Sequence, residues 1–202
     1  MFKKLPVIVA PGFFTSFWPS ALNLSDKLKD LGFDVFSPGP SFLSLLHIHT
    51  QAFALSKLVD EALSKHKTKK CNIIGVSMGG IVALYYLHEL DGAKKVNTCI
   101  TIGTPFRGTP AAYPALLFAP SAWEIIPGSS LIKYLSQKPK PPGVKMYNFS
   151  GKNDLLCPPR TSRYEFGKNK MFDGGHADVC LGANEEVLKY IELILNTEEP
   201  VM

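Results

Sequence analysis

The chain has 202 residues, of which 46% are hydrophobic and 19% charged, with a formal charge of +5. That length fits one domain able to bury a core, and the composition excludes a disordered chain. The charge is modest and its lysines are not interleaved with aromatics, so no nucleic-acid groove is predicted.

The opening MFKKLPVIVAPGFF places two lysines before an apolar run, as a signal peptide would. The run is short, Pro6 opens it, and no small-residue cleavage pattern follows, so residues 5–10 read as a first strand. No segment approaches the roughly 18 apolar residues needed to span a bilayer, and the expected location is cytoplasmic. Residues 20–31 follow a helical period through Leu22, Leu24, Leu28 and Leu31, and Gly32 stops the helix. A short strand over 33–37 ends at PGP, and residues 50–65 form a second amphipathic helix. The lysine cluster 65–70 reads as a solvated loop. Next come a strand at 72–76, a helix at 79–90 and a strand at 96–103. Residues 104–143 break the alternation, being rich in Pro, Gly and apolar side chains, with short helices expected at 111–119 and 128–136. So long an interruption reads as a lid-like insertion in a single domain spanning 1–202. Strands at 144–151 and 168–174 and a helix at 184–195 complete the chain. Strands separated by helices predict a mostly parallel sheet covered on both faces.

The chemistry concentrates in CNIIGVSMGG, residues 71–80, where Ser77 stands between Gly75 and Gly79 at a strand-to-helix junction. The context is that of a nucleophile elbow: glycines permit a tight turn that exposes the hydroxyl at the sheet edge. A phosphate loop is excluded, because neither G-K-[ST] nor G-x-G-x-x-G spacing is present. A serine needs a base, itself oriented by an acid. His47 and His49 lie ahead of the second helix, and His66 sits in the lysine-rich loop. His88 falls roughly 16 Å from Ser77 by helical rise. His176, in a loop between the last strand and last helix, is the remaining candidate. The acid is Asp154, directly after a predicted strand, with Asp173 and Asp178 as local rivals. The backbone N–H groups of Met78 and of Phe13 in the first loop are the candidate oxyanion donors. Four cysteines lack C-x-x-C spacing, and no metal ligands are assigned. Cys71 and Cys99 fall in predicted buried strands. Cys157 and Cys180 follow Asp154 and His176 closely enough for a disulfide to be conceivable, with free thiols favoured in a reducing compartment.

With Ser77, Asp154 and His176 in this order and VIVAPGF at the start, the chain resembles the α/β-hydrolase superfamily, and within it small bacterial lipases and esterases. IGTPFRGTP after the next strand is similar to a G-[ST]-P-x-x-G-[ST] stretch of many lipases, and EIIPGSSLIKYL to a P-G-S-x-x-L segment of their lids. Pro11-Gly12 stands where such lipases usually carry His-Gly. The sequence opens at the strand preceding the oxyanion loop, so the resemblance implies a minimal fold of about six mostly parallel strands.

The resemblance implies hydrolysis of a small-molecule or lipid ester through an acyl-enzyme on Ser77, with no metal or organic cofactor. Phe14, Phe17, Trp18, Phe106, Leu116 and Trp123 are the candidate substrate-binding side chains, as an apolar cluster suits an acyl chain. The same side chains could instead pack the core or seal a lid. Transient contact with a lipid surface is expected if the insertion opens, and oligomeric state is left undetermined. A thioesterase, an acyltransferase and a non-catalytic binding protein of the same fold are the alternatives.

Overall fold

Val7–Ala10 (β1) is buried along its whole length, as a strand covered on both faces should be. Val7 and Val9 enter one hydrophobic core while Ile8 and Ala10 enter another, because successive side chains point to opposite sides of a sheet. The computed structural model describes residues 4–13, 22–38 and 42–197.

From β1 the chain passes through Leu22–Asp30 (α1), the short strand Val35–Phe36 (β2), a 3-10 turn at Phe42–Leu45 and the long helix Ile48–His66 (α2). Cys71–Val76 (β3), Met78–Glu89 (α3) and Val96–Ile102 (β4) follow. The insertion holds a 3-10 turn at Pro110–Ala115 and two short helices, Pro120–Ile125 (α4) and Ser130–Ser136 (α5). Lys145–Gly151 (β5), Pro159–Ser162 (α6), Lys168–Phe172 (β6), His176–Cys180 (α7) and Glu185–Asn196 (α8) end the fold.

The strands form one six-stranded sheet in the order β2-β1-β3-β4-β5-β6, and every neighbouring pair runs parallel. The expected sheet is therefore present and wholly parallel. Leu24 and Leu28 of α1 and Val187 and Ile191 of α8 cover one face. Ile48, Leu55 and Val59 of α2 and Ile81, Leu84 and Tyr86 of α3 cover the other. The chain steps outward from β1 to β2, then returns to place β3 on the opposite side of β1. Strand order reverses there, which opens a crevice beyond the carboxyl ends of β1 and β3.

Three local expectations differ from the structure. In place of the helix expected over 111–119 there is only the 3-10 turn, and a helix that was not expected, α4, follows it, since proline opens a helix but cannot continue one, and Pro114 and Pro120 punctuate the segment. The strand expected over 33–37 is only two residues long. The loop expected around His176 is the helix α7, with His176 as its first residue. No helix of the described residues is long and apolar enough to cross a membrane.

Candidate active site

Ser77 sits between β3 and α3 with φ 51° and ψ −123°, a conformation that costs a non-glycine residue about 1–3 kcal/mol. Its neighbours hold it there. The Ser77 N–H donates to the Ile102 carbonyl at 2.7 Å, and the Gly80 N–H donates back to the Ser77 carbonyl at 3.0 Å. A Cβ on Gly75 would lie 2.6 Å from the Gly80 Cα, and one on Gly79 would strike the Ala10 carbonyl oxygen. Both glycines are therefore required by close approach. The contact at Gly79 also seats the loop after β1 against the start of α3.

Two other elements deliver side chains to the same edge. The His176 Nε2 lies 3.1 Å from the Ser77 Oγ, and its Nδ1 lies 2.6 Å from Oδ2 of Asp154. Asp154 follows β5, and its second oxygen accepts the N–H groups of Leu156 at 2.9 Å and Cys157 at 2.7 Å. Two backbone donors on one oxygen hold this fully buried side chain as an acceptor. It therefore receives the Nδ1–H of His176 and leaves Nε2 free to take a proton from the serine. Asp173 pairs instead with Lys152 at 2.7 Å, and Asp178 accepts the Gly175 N–H at 2.7 Å at the head of α7. Neither rival orients the imidazole.

The residues 103–109 support this arrangement in ways the sequence did not reveal. Gly103 has φ 59°, and a Cβ there would lie 2.7 Å from the Cys180 sulfur and 3.0 Å from Cε1 of His176. Only glycine leaves room for the imidazole. Phe106 stacks on Tyr164 with centroids 4.7 Å apart. The Thr109 hydroxyl donates to the Leu156 carbonyl at 2.5 Å and accepts from the Ala111 N–H at 3.1 Å. Thr109 thus ties the insertion to the loop that holds Asp154. Further along, the Ser129 hydroxyl accepts from Ile132 at the head of α5 and donates to the Glu124 carbonyl, which accounts for the serine of the PGSS stretch.

Two thiols flank the serine and histidine. Cys180 places its sulfur 3.8 Å from Nε2 of His176. Burial pushes the Cys157 thiol up to about 12, with the Asp154 charge adding to the rise and hydrogen bonding with Ser77 and Thr109 opposing it. All four cysteines are free and buried.

Met78 is the first residue of α3 and is buried, and Phe13 is half-buried in the loop after β1. Phe106 lies in the core and Leu116 packs against it. Trp123 is exposed, and its indole N–H donates to the Leu116 carbonyl at 2.8 Å. Phe14, Phe17 and Trp18 lie outside the described residues. A cavity of about 240 Å³ opens beside the loop after β1, lined by Pro11, Leu43, Leu55, Leu58 and Val82 with Gln51 among them. It adjoins the crevice at the strand-order reversal.

Residues 6–126 match the family model described as the alpha/beta hydrolase fold. The chain belongs to that family. The structure of this α/β hydrolase is similar to that of mature Bacillus licheniformis lipase BlEst2, with TM-score 0.79 and 14% identity over 95% of this chain and 92% of that one. The monoacylglycerol lipase of Paleococcus ferrophilus aligns with TM-score 0.64 and 14% identity over 95% of each chain. At such identities the likeness is one of fold. In sequence, 81 residues are 36% identical to the phospholipase A(1) LCAT3 of Arabidopsis thaliana, covering 39% of this chain and 18% of that protein.

Proposed function

We propose that the protein is a serine carboxylic-ester hydrolase acting through an acyl-enzyme on Ser77. The observation that carries this reading is the unbroken chain of contacts from the Ser77 Oγ through both nitrogens of His176 to the buried Asp154. In the first half-reaction the Ser77 Oγ attacks the ester carbonyl and its proton passes to Nε2 of His176. Asp154 stabilises the imidazolium that forms. The tetrahedral oxyanion faces the backbone N–H groups of Met78 and Phe13, each donor worth about 10²–10³ in rate. Collapse expels the alcohol, which takes the proton from Nε2. Water then gives a proton to Nε2 and attacks the acyl carbonyl. Return of that proton to Ser77 frees the carboxylic acid.

Lipid esters are the proposed substrate class. The apolar cavity beside Pro11 suits an acyl chain. Outside it, the insertion exposes Tyr113, Leu117 and Phe118, and the Asp154 loop exposes Leu155; Leu117 is 97% and Leu155 89% exposed. Such a patch is suited to a lipid surface. The names of the similar lipases and of the related phospholipase agree with this class.

The test is hydrolysis of p-nitrophenyl esters of increasing chain length by the wild type and Ser77→Ala, with fluorophosphonate labelling of both. Activity that vanishes with the serine, together with stoichiometric labelling of the wild type alone, is expected. Full esterase activity in Ser77→Ala overturns the assignment.

A further inference from the structure

His47, His49 and Glu124 bring two imidazoles and a carboxylate together at the surface. One ligand atom from each lies within 4.8 Å of the others. His47 caps the start of α2 and His49 lies in its first turn, whereas Glu124 comes from α4 in the insertion, 77 positions from His47. We propose that this cluster is a binding site for a borderline transition-metal ion of the zinc class, and that the ion staples the insertion to the head of α2.

The donor set selects the metal. Imidazole nitrogen with one carboxylate oxygen suits zinc, nickel or copper, whereas magnesium and calcium seek oxygen alone. The spacing agrees. Metal bonds of 2.0–2.2 Å at tetrahedral angles put neighbouring ligand atoms roughly 3.3 Å apart, and Nδ1 of His47 lies 3.2 Å from Oε1 of Glu124. The two imidazole rings stack with centroids 5.5 Å apart at 23°. Both histidines are exposed, so the third donor can close from within 4.8 Å by side-chain rotation without disturbing the core.

Glu124 is already oriented for such a task. Its Oε2 accepts the Ile48 N–H at 2.7 Å, leaving Oε1 directed at the imidazole. A fixed ligand oxygen of this kind strengthens metal binding. The positive end of α2 disfavours a cation nearby, and the Glu124 charge offsets it. Without metal the same atoms form only an ion pair, charged when His47 is protonated. The consequence for the fold is local. Ser121 of α4 already donates to the Ser44 carbonyl at 2.8 Å, and a bridging ion would add to the ties between the insertion and the body.

The experiment is calorimetric titration of tag-free protein with Zn²⁺, with Mg²⁺ and Ca²⁺ as controls. The proteins are the wild type, the His47→Ala/His49→Ala double variant and Glu124→Gln. One site of micromolar affinity is expected in the wild type, weakened at least about tenfold in either variant. Zinc at about a hundredfold excess over its Kd should raise Tm of the wild type by about 5–10 °C and slow proteolysis within the insertion. Glu124→Gln keeps an acceptor for the Ile48 N–H, and circular dichroism of the metal-free proteins reports whether each variant is folded. Zinc binding that survives the double histidine variant, equal binding of Mg²⁺, or no saturable binding below about 1 mM overturns the site.

Discussion

At the residue scale, the decisive atoms are those of Asp154. One oxygen faces Nδ1 of His176 and the other takes two backbone N–H groups, so an amide in its place would turn an N–H toward one of these donors. Asp154→Asn is expected to lower kcat by about 10³–10⁴-fold with little change in KM, because the imidazole loses its tautomer; steady-state kinetics on a soluble ester checks it. Thr109 acts one step further out, through the Leu156 carbonyl. Thr109→Val loses about 1 kcal/mol of hydrogen bonding and should lower kcat several-fold, while Thr109→Ser, which keeps the hydroxyl, restores it. Equal losses in both variants would mean that the methyl group, and not the bond, holds the loop. Ser77 and His176 were legible in the sequence because glycine spacing and chain order single them out. Asp154 could be preferred over Asp178 by its place between Ser77 and His176 in the chain and directly after a strand; that Asp178 is occupied at the head of α7 is a fact of the folded structure. Thr109 closes the G-[ST]-P-x-x-G-[ST] stretch, but its bond was not legible, since its partner lies 47 positions away.

At the scale of elements, apolar runs showed the strands and the long helices, and these form where expected except that β2 keeps only two residues. Within the insertion the helix expected at 128–136 forms as α5, while the rest was legible only as an interruption. Prolines there break helical periodicity into pieces of six residues, too short for a pattern of period 3.6 to repeat. The elbow between β3 and α3 is the tightest junction, and it carries a prediction. Gly79→Ala forces a methyl group against the Ala10 carbonyl. The variant should lose about 1–3 kcal/mol of stability by urea unfolding and most of its activity, because the loop bearing Phe13 is displaced from Met78. The insertion carries another. Leu117→Ser/Phe118→Ser replaces exposed apolar groups, so hydrolysis of a short soluble ester should be unchanged. Hydrolysis of a long-chain ester in dispersed droplets should fall several-fold. A parallel fall on both substrates would assign these residues to packing of the insertion.

At the scale of the molecule, alternation predicted a parallel sheet but not its order, since nothing local records that β3 returns to the far side of β1. That reversal is what brings the loop after β1, which the cavity borders, against the elbow that carries the serine. The same double covering of the sheet buries all four thiols and sets an alkaline limit on stability. Burial raises the Cys71 and Cys99 thiols to about 12 from an ordinary 9.0, as it does Cys157, and pushes Cys180 well above its ordinary value. Above pH 9 the unfolded chain releases these protons while the folded chain retains them. Stability from this source is intact below pH 9 and is lost as pH rises toward 12, by about 1.4 kcal/mol per unit for each thiol. Urea unfolding at pH 8 and pH 10 measures the loss. The wild type should weaken between the two, and Cys99→Ala should weaken by about one thiol's share less, whatever its stability at pH 8. An identical decline in both proteins would trace the alkaline loss to other groups, of which the buried Tyr86 and Tyr164, also raised by desolvation, come next.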